Sequence, residues 1–226
     1  MQDEGIKVVL NIDDRLFLKD PNSSEVGKSI IEHSILLISK IGFESFTFKK
    51  LAKKIGITEP SVYRYFKNKH KLLFYLLSWY WIWMKYKIDT ASYNISSAEQ
   101  RLKIAIKKLS EPIEKDDNYK YIDEVALYNI VIAESSKVYL TKEVDRENKE
   151  GLFKSYQRLC QQISDIIKEI NPEYRFPTAL VSTTIESSHS QKYFAEHLPY
   201  LTEVTKDQIK DTTEFLTELI LKTIKN

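Results

Sequence analysis

The sequence has little cysteine, glycine or proline. The single cysteine excludes an internal disulfide, and the few glycines and prolines argue against a fold of many short strands. Its single cysteine, Cys160, cannot form an internal disulfide, which favours a reducing compartment, the cytoplasm. The apolar neighbours Leu159 and Ile163 indicate a buried, inert thiol. Five glycines and six prolines in 226 residues are few turn residues, which favours long helices over many short strands. No charge-free run reaches the roughly 18 apolar residues of a transmembrane helix, so we expect a soluble protein with no membrane partner.

What the sequence has in excess is basic charge in one place. The net charge is only +2, yet residues 23–90 carry 12 lysines and arginines against 5 acidic residues. Within residues 46–71 the counts are 8 and 1. A basic segment attached to a slightly acidic remainder of the chain is typical of a protein that binds a polyanion. A solvated lysine face without a partner would have the same composition, so charge alone leaves both interpretations open.

The first 45 residues contain an extension and one helix. Residues 1–21 are mixed in composition and suggest weak order, with one short strand or helical turn around residues 6–10. Asn22 and Glu25 fit a capping box at the start of the first helix. An apolar stripe then runs to Ile41, and Gly42 is the expected end of that helix.

Two short helices follow. The second is FKKLAKKI, with Thr47 as its amino-terminal cap and Gly56 as its stop. The third is EPSVYRYF, capped by Thr58, with Pro60 in its first turn where a missing N–H costs little. Their lengths and the joining Gly-Ile-Thr are typical of a helix-turn-helix.

The rest of the chain is predicted to be helical, without repeats or a convincing strand pattern. Asn68 is the expected cap of a long fourth helix over residues 69–89. Further helices are predicted over 97–115, 119–134, 141–170, 176–197 and 205–225. The sequence therefore predicts an all-α protein with an extension (1–21), a helix-turn-helix domain (22–68) and a larger helical domain (69–226).

On a helical wheel the third helix has an inward and an outward side. Val62 and Phe66 face inward, as i, i+4 partners do. The outward residues are Pro60, Tyr63, Arg64 and Lys67, with Ser61 and Tyr65 on the flanks. The outward side is a candidate surface for reading base edges in the major groove.

The stretch SKIGFESFTFKKLAKKIGITEPSVYRYFKNKHKLL resembles the tetracycline-repressor (TetR) family of bacterial transcriptional regulators. The matching features are Gly42-Phe43, Thr47, Leu51-Ala52, Gly56, the helix from Pro60 to Phe66, and Lys69. The chain departs from the family pattern at Tyr65, where members often carry His, and at Ile38, where a Phe is frequent. The remaining body is similar to the family only in being helical and of the expected length.

The resemblance implies that the second and third helices bind double-stranded DNA. The positions implied at the DNA are Thr47, Lys49, Thr58, Glu59, Pro60, Ser61, Tyr63, Arg64, Tyr65, Lys67 and Lys69. Thr47 and Lys69 are expected at phosphates, since helix N–H groups and lysines hold phosphate oxygens. Tyr63 is expected at a phosphate or a thymine methyl group, and Glu59 at a cytosine amino group. The alternative for Thr47 is that it only caps the second helix, without binding a phosphate. The alternative for Tyr63 is that its ring only packs at the edge of the core.

The resemblance also implies a homodimer and a small effector. Family members dimerise through their last two long helices, here within residues 176–225, and bind palindromic operators. An effector that favours the non-binding spacing of the two DNA-binding heads would release the DNA. Trp83 and Tyr128 are candidates to line a pocket for a small apolar or aromatic effector, with His189 as a further candidate. Aromatic residues at helical spacing are also common in protein cores.

Two other classes of function compete. A helical adaptor that binds protein would carry the same lysines without touching DNA. A metal-dependent bundle enzyme would need repeated Glu-x-x-His motifs, and Glu186 to His189 is the one occurrence. We therefore expect no catalytic residues, no metal and no cofactor.

Overall fold

A computed structural model describes residues 10–115, 119–205 and 209–225. The regular secondary structure of these residues is helical, which confirms the all-α prediction. The helices are α1 (Glu25–Ser45), α2 (Phe48–Ile55), α3 (Glu59–Tyr63), α4 (Lys69–Ser92), α5 (Ala98–Ser110), α6 (Glu124–Glu134), α7 (Ser136–Tyr139), α8 (Val144–Lys149), α9 (Lys154–Ile170), α10 (Pro177–His197) and α11 (Ile209–Lys225). The ordered stretch predicted around residues 6–10 lies outside the described residues, except for Leu10.

Helix α1 begins two residues later than the sequence suggests. Its cap is Ser24, whose hydroxyl accepts a hydrogen bond from the Gly27 N–H at 3.2 Å. The prediction of Asn22 as the cap is wrong, because Asn22 lies in a short 3-10 turn that Asp20 caps. Gly42 breaks the helical path as predicted, with a φ of 74° that an L side chain rarely adopts.

The predicted roles of Thr47, Gly56 and Asn68 are confirmed, whereas Thr58 occupies the cap position of α3 without a capping hydrogen bond from its side chain. The Thr47 hydroxyl accepts from the Lys50 N–H at 3.2 Å, and Gly56 ends α2 at a φ of 83°. Asn68 caps α4 by accepting from the Lys71 N–H at 2.8 Å. Helix α3 ends at Tyr63, so it is shorter than the eight residues predicted.

The later helices depart more from the prediction. The single helix predicted over 141–170 is two helices, α8 and α9, because Gly151 adopts a φ of 77° between them. The helix predicted from residue 119 begins at Glu124, where the Asp123 carboxylate accepts from the Ala126 N–H at 2.8 Å. The helices of the described residues are all too short or too polar to span a lipid bilayer.

The chain packs as two compact units. Unit 1 comprises Met1–Ile82 and Ile113–Lys154 and holds the helix-turn-helix. Unit 2 comprises Trp83–Pro112 and Ser155–Asn226 and holds α5, α9, α10 and α11. Each unit has a core of fully buried apolar side chains, such as Ile30, Leu51, Val62 and Phe66 in unit 1 and Trp83, Leu102, Leu159, Ile185 and Leu216 in unit 2. The functional division at residue 69 stays a prediction.

Candidate nucleic-acid interface

Helices α2 and α3 form a tightly connected pair. After α2, the N–H groups of Gly56 and Ile57 both donate to the Ala52 carbonyl, at 2.9 and 3.0 Å, which closes the turn. The Phe48 and Tyr63 rings meet edge to face, with their centroids 5.0 Å apart. The turn and the side-chain packing therefore hold the two helices together. A surface that fits a DNA groove needs such a fixed arrangement.

Most of the predicted DNA-binding residues are at least partly exposed. Thr47, Lys49, Thr58, Pro60, Tyr63, Arg64 and Lys67 are exposed, and Glu59 and Ser61 are half-buried. We call these nine residues the α2–α3 face. The Thr58 and Ser61 hydroxyls lie 2.8 Å apart, which orders the start of α3. Tyr63 keeps 47% of its surface exposed although its ring packs on Phe48, so its hydroxyl remains available to a ligand.

Several cations on α2 and just beyond α3 lack protein partners. The side chains of Lys49, Lys53, Lys54, Arg64 and Lys67 are exposed and make no hydrogen bond or ion pair with another residue that the structure describes. By contrast, Lys50 Nζ donates to the Ser45 carbonyl at 2.7 Å. Lys53 and Lys54 were not among the predicted residues, although Lys53 is four positions after Lys49 and so on the same side of α2. These five unpaired cations, three of them within the α2–α3 face, make the exposed surface of the helix-turn-helix positive.

Tyr65 is a correction to the prediction. It was expected on the flank of the exposed surface, but only 4% of it is exposed. Its hydroxyl lies 2.7 Å from the Ser24 hydroxyl, and its carbonyl accepts from the Leu18 N–H at 2.7 Å. The helical wheel is wrong here because α3 ends at Tyr63, and the chain then turns Tyr65 towards α1.

The Lys69 side chain makes hydrogen bonds within the protein. Its ammonium group donates to the carbonyl oxygens of Phe43, Glu44 and Phe46 at 3.0, 3.2 and 3.3 Å. It also lies 4.6 Å from the centre of the Phe43 ring. These carbonyls lie at the end of α1, where a helix favours positive charge, and this compensates for placing a lysine at the start of α4. A phosphate contact at Lys69 stays a prediction, and it would compete with three existing hydrogen bonds.

The predicted effector residues are buried. Tyr128 is 1% exposed in unit 1, and its ring stacks on Tyr80 with centroids 5.8 Å apart. Trp83 is fully buried in unit 2, with the Lys87 ammonium 4.7 Å from its ring centre. His189 is buried in α10, and burial, helped by the charge of Lys192, lowers its pKa to about 4. Their role in effector binding stays a prediction.

Two open cavities lie in unit 2. One of about 630 Å³ lies between α5 and α11, where Leu221 and Pro112 face Lys107 and Glu218. The other, of about 610 Å³, lies among the end of α4, α5 and α9 and is lined mainly by polar and charged side chains. Neither cavity is lined by Trp83, Tyr128 or His189.

The side chains with metal-binding or nucleophilic chemistry are scattered or buried. Within the described parts of the chain, no three His, Cys, Asp or Glu side chains cluster in a way that would hold a metal ion. Cys160 is buried as predicted, and burial raises the pKa of its thiol to about 11. Burial also raises the pKa of Glu186.

Taken together, the geometry defines a class: an all-helical protein whose amino-terminal unit presents a helix-turn-helix with an exposed basic surface. Residues 30–76 match the family model described as bacterial regulatory proteins, tetR family. Over this segment, which contains the helix-turn-helix, the chain is similar to the TetR family.

Three similar proteins illustrate the relationship. The probable HTH-type transcriptional regulator YttP of Bacillus subtilis (strain 168) is 28% identical over 118 residues, 50% of this chain and 57% of the relative. The class D tetracycline repressor protein of Escherichia coli is 39% identical over 46 residues, 20% of this chain and 21% of the relative. The chain thus matches little more than half the length of the first relative and about a fifth of the second.

The crystal structure of AibR in complex with isovaleryl coenzyme A and operator DNA has the same fold. It superposes with a TM-score of 0.58 at 14% identity and covers 85% of this chain and 96% of AibR. The sequence similarity is therefore concentrated in the helix-turn-helix, and the similarity of fold extends through the helical body.

Proposed function

We propose that the protein is a DNA-binding transcriptional regulator that represses its target genes, binds a palindromic operator as a homodimer and is released by a small effector. The main support is the α2–α3 face, which contains three unpaired cations and has two more, Lys53 and Lys54, beside it. A helix of this width fits the B-DNA major groove, where all four base pairs can be distinguished. Cytoplasmic location follows from this function.

The α2–α3 face supports a division of labour among its residues. Lys49, Arg64 and Lys67 have free charges for phosphates, which fix the register of a protein on DNA without reading sequence. Pro60, Ser61 and Tyr63 are the candidates for base contacts, because they lie on the outward side of α3. The Thr47 hydroxyl already caps α2, so any phosphate it binds shares that hydroxyl with the Lys50 N–H.

Exposed apolar side chains support a homodimer through residues 176–225. Phe176, Tyr193 and Phe215 are 56%, 43% and 47% exposed, and Leu198 and Leu201 are 45% and 59% exposed. We infer that the partner subunit covers some of these side chains, because apolar side chains grouped in one exposed area are typical of a protein contact. The half-buried Ser182 hydroxyl donates to the Ala179 carbonyl at 3.1 Å, so this part of α10 can approach another helix with that donor satisfied.

The effector in this proposal is a small molecule that binds the helical body. AibR was crystallised with both an acyl coenzyme A and operator DNA, so this fold accommodates a small ligand together with DNA. Release requires only that the ligand favour the non-binding state by a few kcal/mol. An apolar or aromatic effector would suit the aromatic stretch of α4 that includes Trp83.

Selection from a random duplex pool tests the function directly. Purified protein should enrich a palindromic sequence, and its affinity for that duplex should fall steeply with salt because each neutralised phosphate releases counterions. Lys67→Met should reduce the slope of log K against log salt by about 0.9 for each lysine removed. A protein-binding adaptor would enrich no sequence.

A further inference from the structure

Residues 10–24, which precede α1, have no counterpart in the helix-turn-helix pattern, yet they pack firmly within unit 1. Leu16 is 1% exposed, and the Phe17 ring lies edge-on to Tyr75 with centroids 6.1 Å apart. Pro21 presses so closely on Gly27 that a Cβ there would lie 2.2 Å from the Pro21 carbonyl oxygen. This segment is therefore built against the helices that follow it.

Three of its contacts converge on Tyr65, at the carboxyl end of α3. The Leu18 N–H donates to the Tyr65 carbonyl at 2.7 Å, and the Ser24 hydroxyl lies 2.7 Å from the Tyr65 hydroxyl. The Lys19 ammonium lies 5.3 Å from the ring centre. Carbonyls at the end of a helix lack partners within the helix, so the Leu18 bond satisfies one of them just past α3.

Other contacts fix the segment to the rest of unit 1. Asn22 donates to the Tyr75 hydroxyl at 3.4 Å and accepts from the Tyr121 hydroxyl at 2.7 Å. The Arg15 guanidinium donates to the Glu150 carbonyl. Tyr65 is thus linked through this segment to α4, to the chain before α6 and to the end of α8.

We infer that residues 15–24, the amino-terminal brace, position the recognition helix α3 and do not themselves contact DNA. The inference rests on the proposed DNA-binding function. Residues 10–24 carry three acidic side chains against Arg15 and Lys19, and Arg15 is paired with Asp13, so the segment lacks the charge of a phosphate-binding arm. A helix that is already fixed loses less freedom when it binds, which strengthens binding without any new contact.

Tyr65→Phe is the decisive variant, because it removes the hydroxyl that contacts Ser24 of the brace and leaves the Ser24 cap of α1 in place. Its affinity for the duplex that the wild type selects should fall about threefold to tenfold. Its affinity for an unselected duplex, its salt slope and its circular dichroism should be unchanged. Tyr93→Phe is the matched control, because this tyrosine is 76% exposed in unit 2 and its hydroxyl makes no contact with the brace.

A purely structural role and a DNA-contact role give different results. If the Tyr65 hydroxyl only stabilises the fold, Tyr65→Phe lowers the melting temperature while the ratio of selected to unselected affinity stays constant, which overturns the inference. If Lys19 binds phosphate, Lys19→Met lowers the salt slope by about 0.9 per protomer and weakens all duplexes alike, which also overturns it. A wild type that selects no duplex refutes the proposed function as well, and that outcome is distinct from the other two.

Discussion

Replacing Lys69 with Met separates two roles that one lysine could have. In the structure its ammonium group donates to the carbonyls of Phe43, Glu44 and Phe46 and lies over the Phe43 ring. The family resemblance instead places a phosphate at this position. Lys69→Met keeps most of the side-chain volume and removes all three donors, so the variant tests the charge and not the packing.

The expected loss is one of folding stability. Hydrogen bonds from a charged donor contribute about 1.5–3 kcal/mol, and a cation over an aromatic ring about 0.5–1 kcal/mol. Because all three bonds share one half-buried ammonium, their contributions do not add, and we expect a total of about 2–3 kcal/mol. For a protein of this size that corresponds to a fall in melting temperature of roughly 4–12 °C.

Thermal unfolding followed by circular dichroism measures this loss, and DNA titration at several salt concentrations measures the other role. Lys67→Met is the matched control, because Lys67 is exposed, two residues away and unpaired. Lys67→Met should leave the melting temperature unchanged and reduce the salt slope. Lys69→Met should lower the melting temperature and leave the salt slope unchanged. A Lys69→Met protein that melts with the wild type and has a reduced salt slope would refute the structural role.

Three further predictions concern other parts of the chain. Tyr63→Phe keeps the ring contact with Phe48 and should leave the stability unchanged. It should weaken binding to the selected duplex by about 1 kcal/mol, roughly fivefold. If a filter or fluorescence titration gives equal affinity for wild type and variant, the Tyr63 hydroxyl does not contact DNA. Phe215→Glu should yield a folded monomer in sedimentation experiments, since this ring is 47% exposed, and a variant that stays dimeric would place the interface elsewhere. His189 has a pKa of about 4 when folded, below its ordinary 6.5, so the unfolded chain takes up the proton first and stability falls as pH drops from 6.5 to 4, by about 2–3 kcal/mol. Urea unfolding across this pH range should show that slope in the wild type and a shallower one in His189→Gln.

The sequence alone determined the features that depend on near neighbours. Thr47, Gly56 and Asn68 end or begin their helices through bonds to residues at most four positions away, so their side chains and the lengths between them were enough to predict the helix-turn-helix. Helical periodicity correctly predicted which residues of α3 are exposed up to Tyr63, where the helix ends. The break at Gly151 was also local, because glycine readily adopts a φ of 77°, but the helix predicted over 141–170 ran through it.

The tertiary structure alone decided the roles of Tyr65 and Lys69. Tyr65 bonds Ser24, 41 residues earlier, and Lys69 bonds the Phe43 carbonyl, 26 residues earlier. Neither residue carries a local signal for such partners, since a buried hydroxyl or ammonium is satisfied by whichever acceptor the fold brings within about 3 Å. The same holds for the amino-terminal brace, whose composition suggests a weakly ordered extension and whose order comes from the helices on which it packs.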